Sequence, residues 1–186
     1  MALITRTAKG SPLTTAEMDG NLNFLDKKMG WVDYNDAATA ITPIPLTLAD
    51  TFYPMTNDGL GPFTNKTYKI PTHGEIWNAG TGLFDFSSLK LGDTVDYRLD
   101  LTFITSGANR DLAASIELGI GTAGPYSLTI GSKSYKSAGS YQEVVFSGIY
   151  MGDANTLSGG GRFVVKSDGT GDEVTVNGFY IRTAVW

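Results

Sequence analysis

The chain has no cysteine in 186 residues. Disulfides and thiolate metal sites are excluded, and the redox compartment stays open. It has one histidine, His73, too few for a three-histidine metal site. A Ser-His-Asp triad would have to use it, but beside Gly74 it reads as a turn or surface residue. Basic side chains are scarce: 14 Lys and Arg against 19 Asp and Glu give a net charge of −5. That argues against a phosphate-backbone binder, so no nucleic-acid partner is expected. No apolar run approaches the roughly 20 residues a bilayer span needs, so no membrane insertion is expected. The opening MALITRTAKG has no apolar signal-peptide core, which suits assembly in a cytoplasm.

Helical signal is also scarce, and it concentrates in residues 9–30. Thr14 is an N-cap with Glu17 three residues on, a capping box. Leu13 before the cap and Met18 after it can close a hydrophobic staple. Leu13, Met18, Leu22, Leu25 and Met29 then define one narrow apolar seam, ended by Gly30. The spacing predicts a helix over about 14–29. Gly20 inside it costs about 1 kcal/mol against Ala, and a helix this short is marginal alone. The seam therefore needs a partner: its own domain, symmetry mates or another protein. Residues 2–8 are expected to be extended.

From residue 44 the pattern is β. Over 94–104, Val95, Tyr97, Leu99, Leu101 and Phe103 alternate with Asp96, Arg98, Asp100 and Thr102, one buried face and one wet face. Residues 112–120 repeat the alternation, with 106–109 read as a hairpin loop between them. Further strands are expected at 46–49, 66–70, 73–78, 126–131, 141–150, 161–167 and 173–183. Gly- and Ser-rich turns separate the later ones. Many short strands with no central helix predict a mainly β chain, a jelly-roll β-sandwich with a short N-terminal helix. Three parts follow: residues 1–30 as an anchor segment, 31–43 as a neck, and 44–186 as the sandwich.

The segment KGSPLTTAEMDGNLNFL resembles the N-terminal segment of tailed-bacteriophage virion proteins, tail fibres especially. The matching positions are Lys9, Gly10, Ser11, Pro12, Leu13, Thr14, Ala16, Glu17, Met18, Asp19, Asn21, Leu22 and Phe24. Thr15 and Gly20 depart from the pattern, where an aromatic and Ala are frequent. The match covers about a tenth of the chain and implies attachment to other virion proteins through residues 1–30. FDFSSLKLGDTVDYRLDLTF and VTVNGFYIRT are similar to jelly-roll head domains of small phage virion proteins, many built as TNF-like trimers. That likeness implies a homotrimer.

Chemical motifs fail on inspection. Gly119, Gly121 and Gly124 spell G-x-G-x-x-G, but Pro125 and a β pattern follow where the dinucleotide fingerprint needs a helix. Residues 168–173 lack the spaced carboxylates of a calcium loop and read as a hairpin turn. Glu75, Glu117 and Glu143 show no spacing that marks a glycosidase pair. No catalytic residue, metal or cofactor is expected, and the chain is read as not an enzyme.

The expected function is a structural virion protein, a short tail fibre or host-recognition protein at the virion surface. A capsid-decorating protein of the same build is the alternative, and a carbohydrate-binding or carbohydrate-degrading module the second. A bacterial surface glycan would meet Gly-, Asn- and Tyr-rich loops, 121–126, 153–161 and 168–172, with Tyr126, Asn155 and Thr156 as candidate contacts.

Overall fold

The computed structural model describes residues 4–26, 28–71 and 73–186; side chains are described for all of these except 23–26. Two short helices come first, α1 (Arg6–Lys9) and α2 (Thr15–Asp26). β1 (Met29–Asn35), α3 (Ala38–Ile41), β2 (Ile44–Leu46), β3 (Tyr53–Pro54), β4 (Trp77–Asn78) and β5 (Leu83–Phe84) follow. The long strands close the chain: β6 (Thr94–Thr105), β7 (Arg110–Leu118), β8 (Tyr126–Tyr135), β9 (Gly139–Tyr150), β10 (Gly161–Ser167) and β11 (Asp172–Ala184), with α4 (Ala154–Gly159) before β10.

They form two antiparallel sheets. The first runs β1-β11-β6-β9, with β2 also on β11; the second runs β4-β5-β10-β7-β8, with β3 also on β10. Pairing is nested: early strands pair with β11 and β10, then β6 with β9, and β7 with β8 innermost. That nesting is a jelly roll, as the strand pattern predicts.

The core lies between the sheets. Val95, Tyr97, Leu99, Leu101 and Phe103 of β6 face Leu112, Ala114, Ile116 and Leu118 of β7 and Phe163 and Val165 of β10, all buried. Phe163 is the hub, with ring centroids 4.9 Å from Phe84, 4.9 Å from Tyr97 and 5.0 Å from Phe179. These edge-on contacts add to the area term at each ring.

Five expectations need correction. Residues 2–8 are not wholly extended: Thr5 Oγ1 accepts from Ala8 N–H and starts α1 at Arg6. The helix of 14–29 stops at Asp26, and Met29 opens a strand. The neck of 31–43 is instead β1, α3 and the approach to β2. β1 ladders onto β11 from Met29↔Ala184 to Asn35↔Gly178, which buries Val32 and Tyr34. Gly30 is no helix stop; it sits where a Cβ would lie 2.6 Å from the Ile70 nitrogen. Lastly, 106–109 and 168–171 are not hairpins. Each carries the chain from one sheet to the other, since β6 and β11 belong to the first sheet and β7 and β10 to the second.

The expected strand at 66–70 is a loop, yet it has a strand's task. Trp31 N–H donates to Tyr68 O at 3.0 Å, Asp33 and Asn65 exchange bonds at 2.8 Å, and Gly61 N–H donates to Asn35 O at 2.8 Å. The segment covers the outer edge of β1.

Candidate functional site: the arm and the loop ends

Residues 4–26 form an arm held by its own polar contacts. Thr14 Oγ1 accepts from Glu17 N–H at 3.2 Å, and Glu17 Oε2 accepts from Thr14 N–H at 2.7 Å. The capping box is in place. Glu17 Oε2 also accepts from Thr14 Oγ1 at 2.9 Å and from the Lys9 ammonium. Lys9 foremost, then Thr14, hold the Glu17 carboxyl down at about 2. Gly10 ends α1 at φ 70°, the left-handed region glycine favours. Asn21 clamps the start of the arm: its Nδ2 donates to Ile4 O at 2.7 Å and its Oδ1 accepts from Ile4 N–H at 2.8 Å. The Asn21–Ile4 clamp has no sequence signal beyond the motif itself.

The apolar seam divides. Leu13 is half-buried, while Met18 and Leu22 stand exposed one helical turn apart. The Leu25 side chain lies outside the described residues. Met29, exposed, projects from the outer face of the first sheet beside Trp31. No described side chain of residues 4–22 is buried.

Strand register assigns the loop ends. Met29, Ala184, Thr94 and Tyr150 stand in line across the first sheet. Beyond Tyr150, α4 leads to Gly161, which pairs with Leu118 opposite Tyr126. Loops 121–126 and 153–161 therefore share the end where the arm enters. Loop 168–172 lies at the far end, with 106–109 and 136–138.

At the arm end two candidate contacts bind each other. Thr156 N–H donates to Asp153 Oδ1 at 2.8 Å and Thr156 Oγ1 to Asp153 Oδ2 at 3.1 Å, so the Tyr126 hydroxyl, 2.9 Å away, donates to Thr156 Oγ1. The Thr156 bonds keep the Asp153 carboxyl below its usual range. Thr156 is fully buried and not a surface contact: it lies in the first turn of α4, where its N–H and hydroxyl satisfy Asp153, the N-cap. Asn155 is exposed and packs over the 119–125 turn: a Cβ on Gly124 would meet its Nδ2 at 2.9 Å.

At the far end Asp172 ties the two crossovers together. Its carboxylate accepts from Ser106 N–H at 2.7 Å, Ser106 Oγ at 2.8 Å and Ser167 Oγ at 2.5 Å. Arg110 Nε stands 3.5 Å away. Burial pushes the Asp172 pKa up, but the Ser167 and Ser106 bonds and the Arg110 charge outweigh it and hold the group low. The Arg110 guanidinium passes beside Gly169, where a Cβ would lie 2.2 Å from its carbon.

The remaining candidates are structural. Glu75 accepts from Tyr34 OH and Lys69, Glu117 pairs with Arg162 at 2.6 Å, and Glu143 with Lys133 at 2.7 Å. His73 N–H closes a turn on Ile70 O at 3.0 Å. Gly119 and Gly121, at φ 66° and 76°, make the β7–β8 turn. Among the described residues no three metal-ligating side chains converge, and no helix is long and apolar enough to cross a membrane.

No protein-family model matches the chain, and no curated protein matches it in sequence. Solved structures do. The chain is similar to Eiger TNF from S. frugiperda, at 13% identity over 86% of this chain and 94% of that one, with a TM-score of 0.44. It is similar to the PRD1 vertex protein, at 12% identity over 86% and 98%, with a TM-score of 0.34. A third is the CBM22-1 xylan-binding domain of Paenibacillus barcinonensis Xyn10C, at 11% identity and a TM-score of 0.38. There the match covers 54% of this chain and spans 62% of that domain's length. At these levels the likeness concerns the sandwich alone and says nothing of ligand or assembly.

Proposed function

We propose that this chain is a structural protein of a tailed-bacteriophage virion, attached through residues 1–30 and presenting its jelly roll at the virion surface. One observation carries the reading. Lys9, Gly10, Thr14, Glu17 and Asn21, all matching the phage attachment segment, are the residues that cap and clamp the arm. With the polar positions spent on holding the arm's shape, Met18 and Leu22 are left facing outward. A helix that cannot stabilise itself by burial needs a partner surface, here another virion protein.

The short step from Asp26 to Met29 favours a protein seated close to the particle, as a capsid-decorating protein or a short fibre, over a head on a shaft. Copies of the chain assemble as a homotrimer, in keeping with the closed symmetry of most homo-oligomers. A bacterial surface glycan, if bound, meets the far-end loops 106–109, 136–138 and 168–172. The reading assigns no catalytic role and no cofactor.

The test is deletion of residues 1–27. The shortened protein is expected to keep its β-sheet circular dichroism and its melting midpoint, and to be missing from purified particles. Normal loading of the shortened protein would overturn the attachment role.

A further inference from the structure

Along one side of the sandwich the two sheets part. β8 ends the second sheet and β9 the first, and no ladder joins them. Tyr126 and Leu128 pair with Leu118 and Ile116, so they share the core-facing side of their sheet. Yet they are 38% and 44% exposed. From the other face of β9, Val144, Phe146 and Tyr150 project at 57%, 71% and 71% exposure.

Two clefts open along this seam. One, of about 260 Å³, is lined by Leu112, Ile130, Lys133, Tyr135 and Val145. The other, of about 340 Å³, is lined by Leu118, Leu128, Ile149 and Tyr150. The Tyr135 hydroxyl is buried there without a hydrogen-bond partner.

The opposite edge of the first sheet is treated differently. Residues 61–70 cover β1 with backbone hydrogen bonds, whereas β8 and β9 run 10 and 12 residues with no strand on their outer sides among the described residues. Proteins protect such edges with charge, proline or cover. Here 126–132 and 144–152 contain neither charge nor proline.

Charge selects the occupant. Between Tyr126 and Gly152 the ionisable acids and bases are Lys133, Lys136 and Glu143, a net +1, so the rest of a −5 chain carries −6. Two acidic molecules can approach at this strip without the repulsion they meet elsewhere. Three aromatics and two aliphatics so exposed present roughly 500 Å² of apolar surface. That is the larger part of the roughly 800 Å² each partner gives a stable interface.

We infer that copies of this chain meet along the β8–β9 edge, burying Tyr126, Leu128, Val144, Phe146 and Tyr150 against a second copy. The inference deepens the self-assembly part of the reading above and rests on it only for the number of subunits.

The test measures the mass of the full chain in solution by light scattering at micromolar concentration. The wild type is expected at a multiple of the 19.9 kDa subunit. Phe146→Asp and Leu128→Asp, separately and together, are expected to weaken association by ~100-fold or more with an unchanged β-sheet signal. Phe146→Ser replaces them if an aspartate variant loses that signal. Leu22→Asp, in the arm, is expected to leave the oligomer intact and abolish particle loading. A monomeric wild type overturns both this inference and the self-assembly reading. Edge variants that stay associated overturn the edge alone. Dissociation by Leu22→Asp but not by the edge variants moves the interface to the arm and also overturns it.

Discussion

In the arm, Ile4 and Asn21 form the longest-range hydrogen-bonded pair, 17 positions apart. In the sandwich, Met29 faces Ala184. The arm is local and polar, and it buries no described side chain over 4–22. The sandwich is non-local and apolar, centred on Phe163 and its ring neighbours. The two regions keep their shape by different means. The sandwich builds its core across its two sheets and leaves one edge bare at β8 and β9, while the arm is held by polar contacts with Met18 and Leu22 exposed.

Truncation gives the sharpest break in that contrast. Removing residues 1–27 takes away the arm alone. Removing 1–35 also takes Val32 and Tyr34 out of the core and strips the covered edge of β11. The second loss is expected to cost about 5 kcal/mol or more. At roughly 2–4 °C per kcal/mol, the melting midpoint falls by more than ~10 °C. Equal midpoints for the two truncations would mean that β1 belongs with the arm.

Phe163→Ala comes next. It removes the hub of the core and is expected to cost about 3–5 kcal/mol by denaturant titration. Amide signals of residues 5–22 should stay in place in the NMR spectrum. Their movement would show that the arm leans on the core.

The smallest effects are in the arm. Thr14→Ala is expected to cost α2 about 1 kcal/mol and leave the sandwich midpoint unchanged. Acid should act in the same place. Glu17 sits at about 2 in the folded arm against an ordinary 4.5. A depressed carboxyl stabilises above its unfolded value and loses that contribution as pH falls through its folded value. The cap is therefore expected to hold above pH 4.5 and fail toward pH 2, read as a falling protection factor of the Thr14 amide, its exchange rate taken relative to the unprotected rate at the same pH. A protection factor that does not change over that window would remove Glu17 from the cap.

Much of this is legible in the sequence. The alternation over 94–104 marks β6 and its core face, and the spacing of Thr14 and Glu17 marks the cap. β1 was not legible, because its pattern is inverted in size. Gly30 points inward where loop 61–70 presses close, and Trp31 points outward, stacked on Tyr68 at 4.8 Å. The crossovers at 106–109 and 168–171 are not legible because alternation tells which face of a strand is buried, not which sheet it joins. Thr156 reads as exposed because a polar residue in a loop looks so until Asp153 is known to cap α4 by accepting from it. The β8–β9 edge does have a signal, the absence of charge over 126–132 and 144–152.

One consequence lies in the step from helix to sheet. Asp26 closes α2 and Met29 opens β1, so three residue steps, at most about 11 Å of chain, separate grip from head. In the attachment proposed above, a head on so short a lead would sweep little volume in search of a target. It would work as a tile held close to its socket, and several copies in one ring would need sockets arranged with the same rotational symmetry.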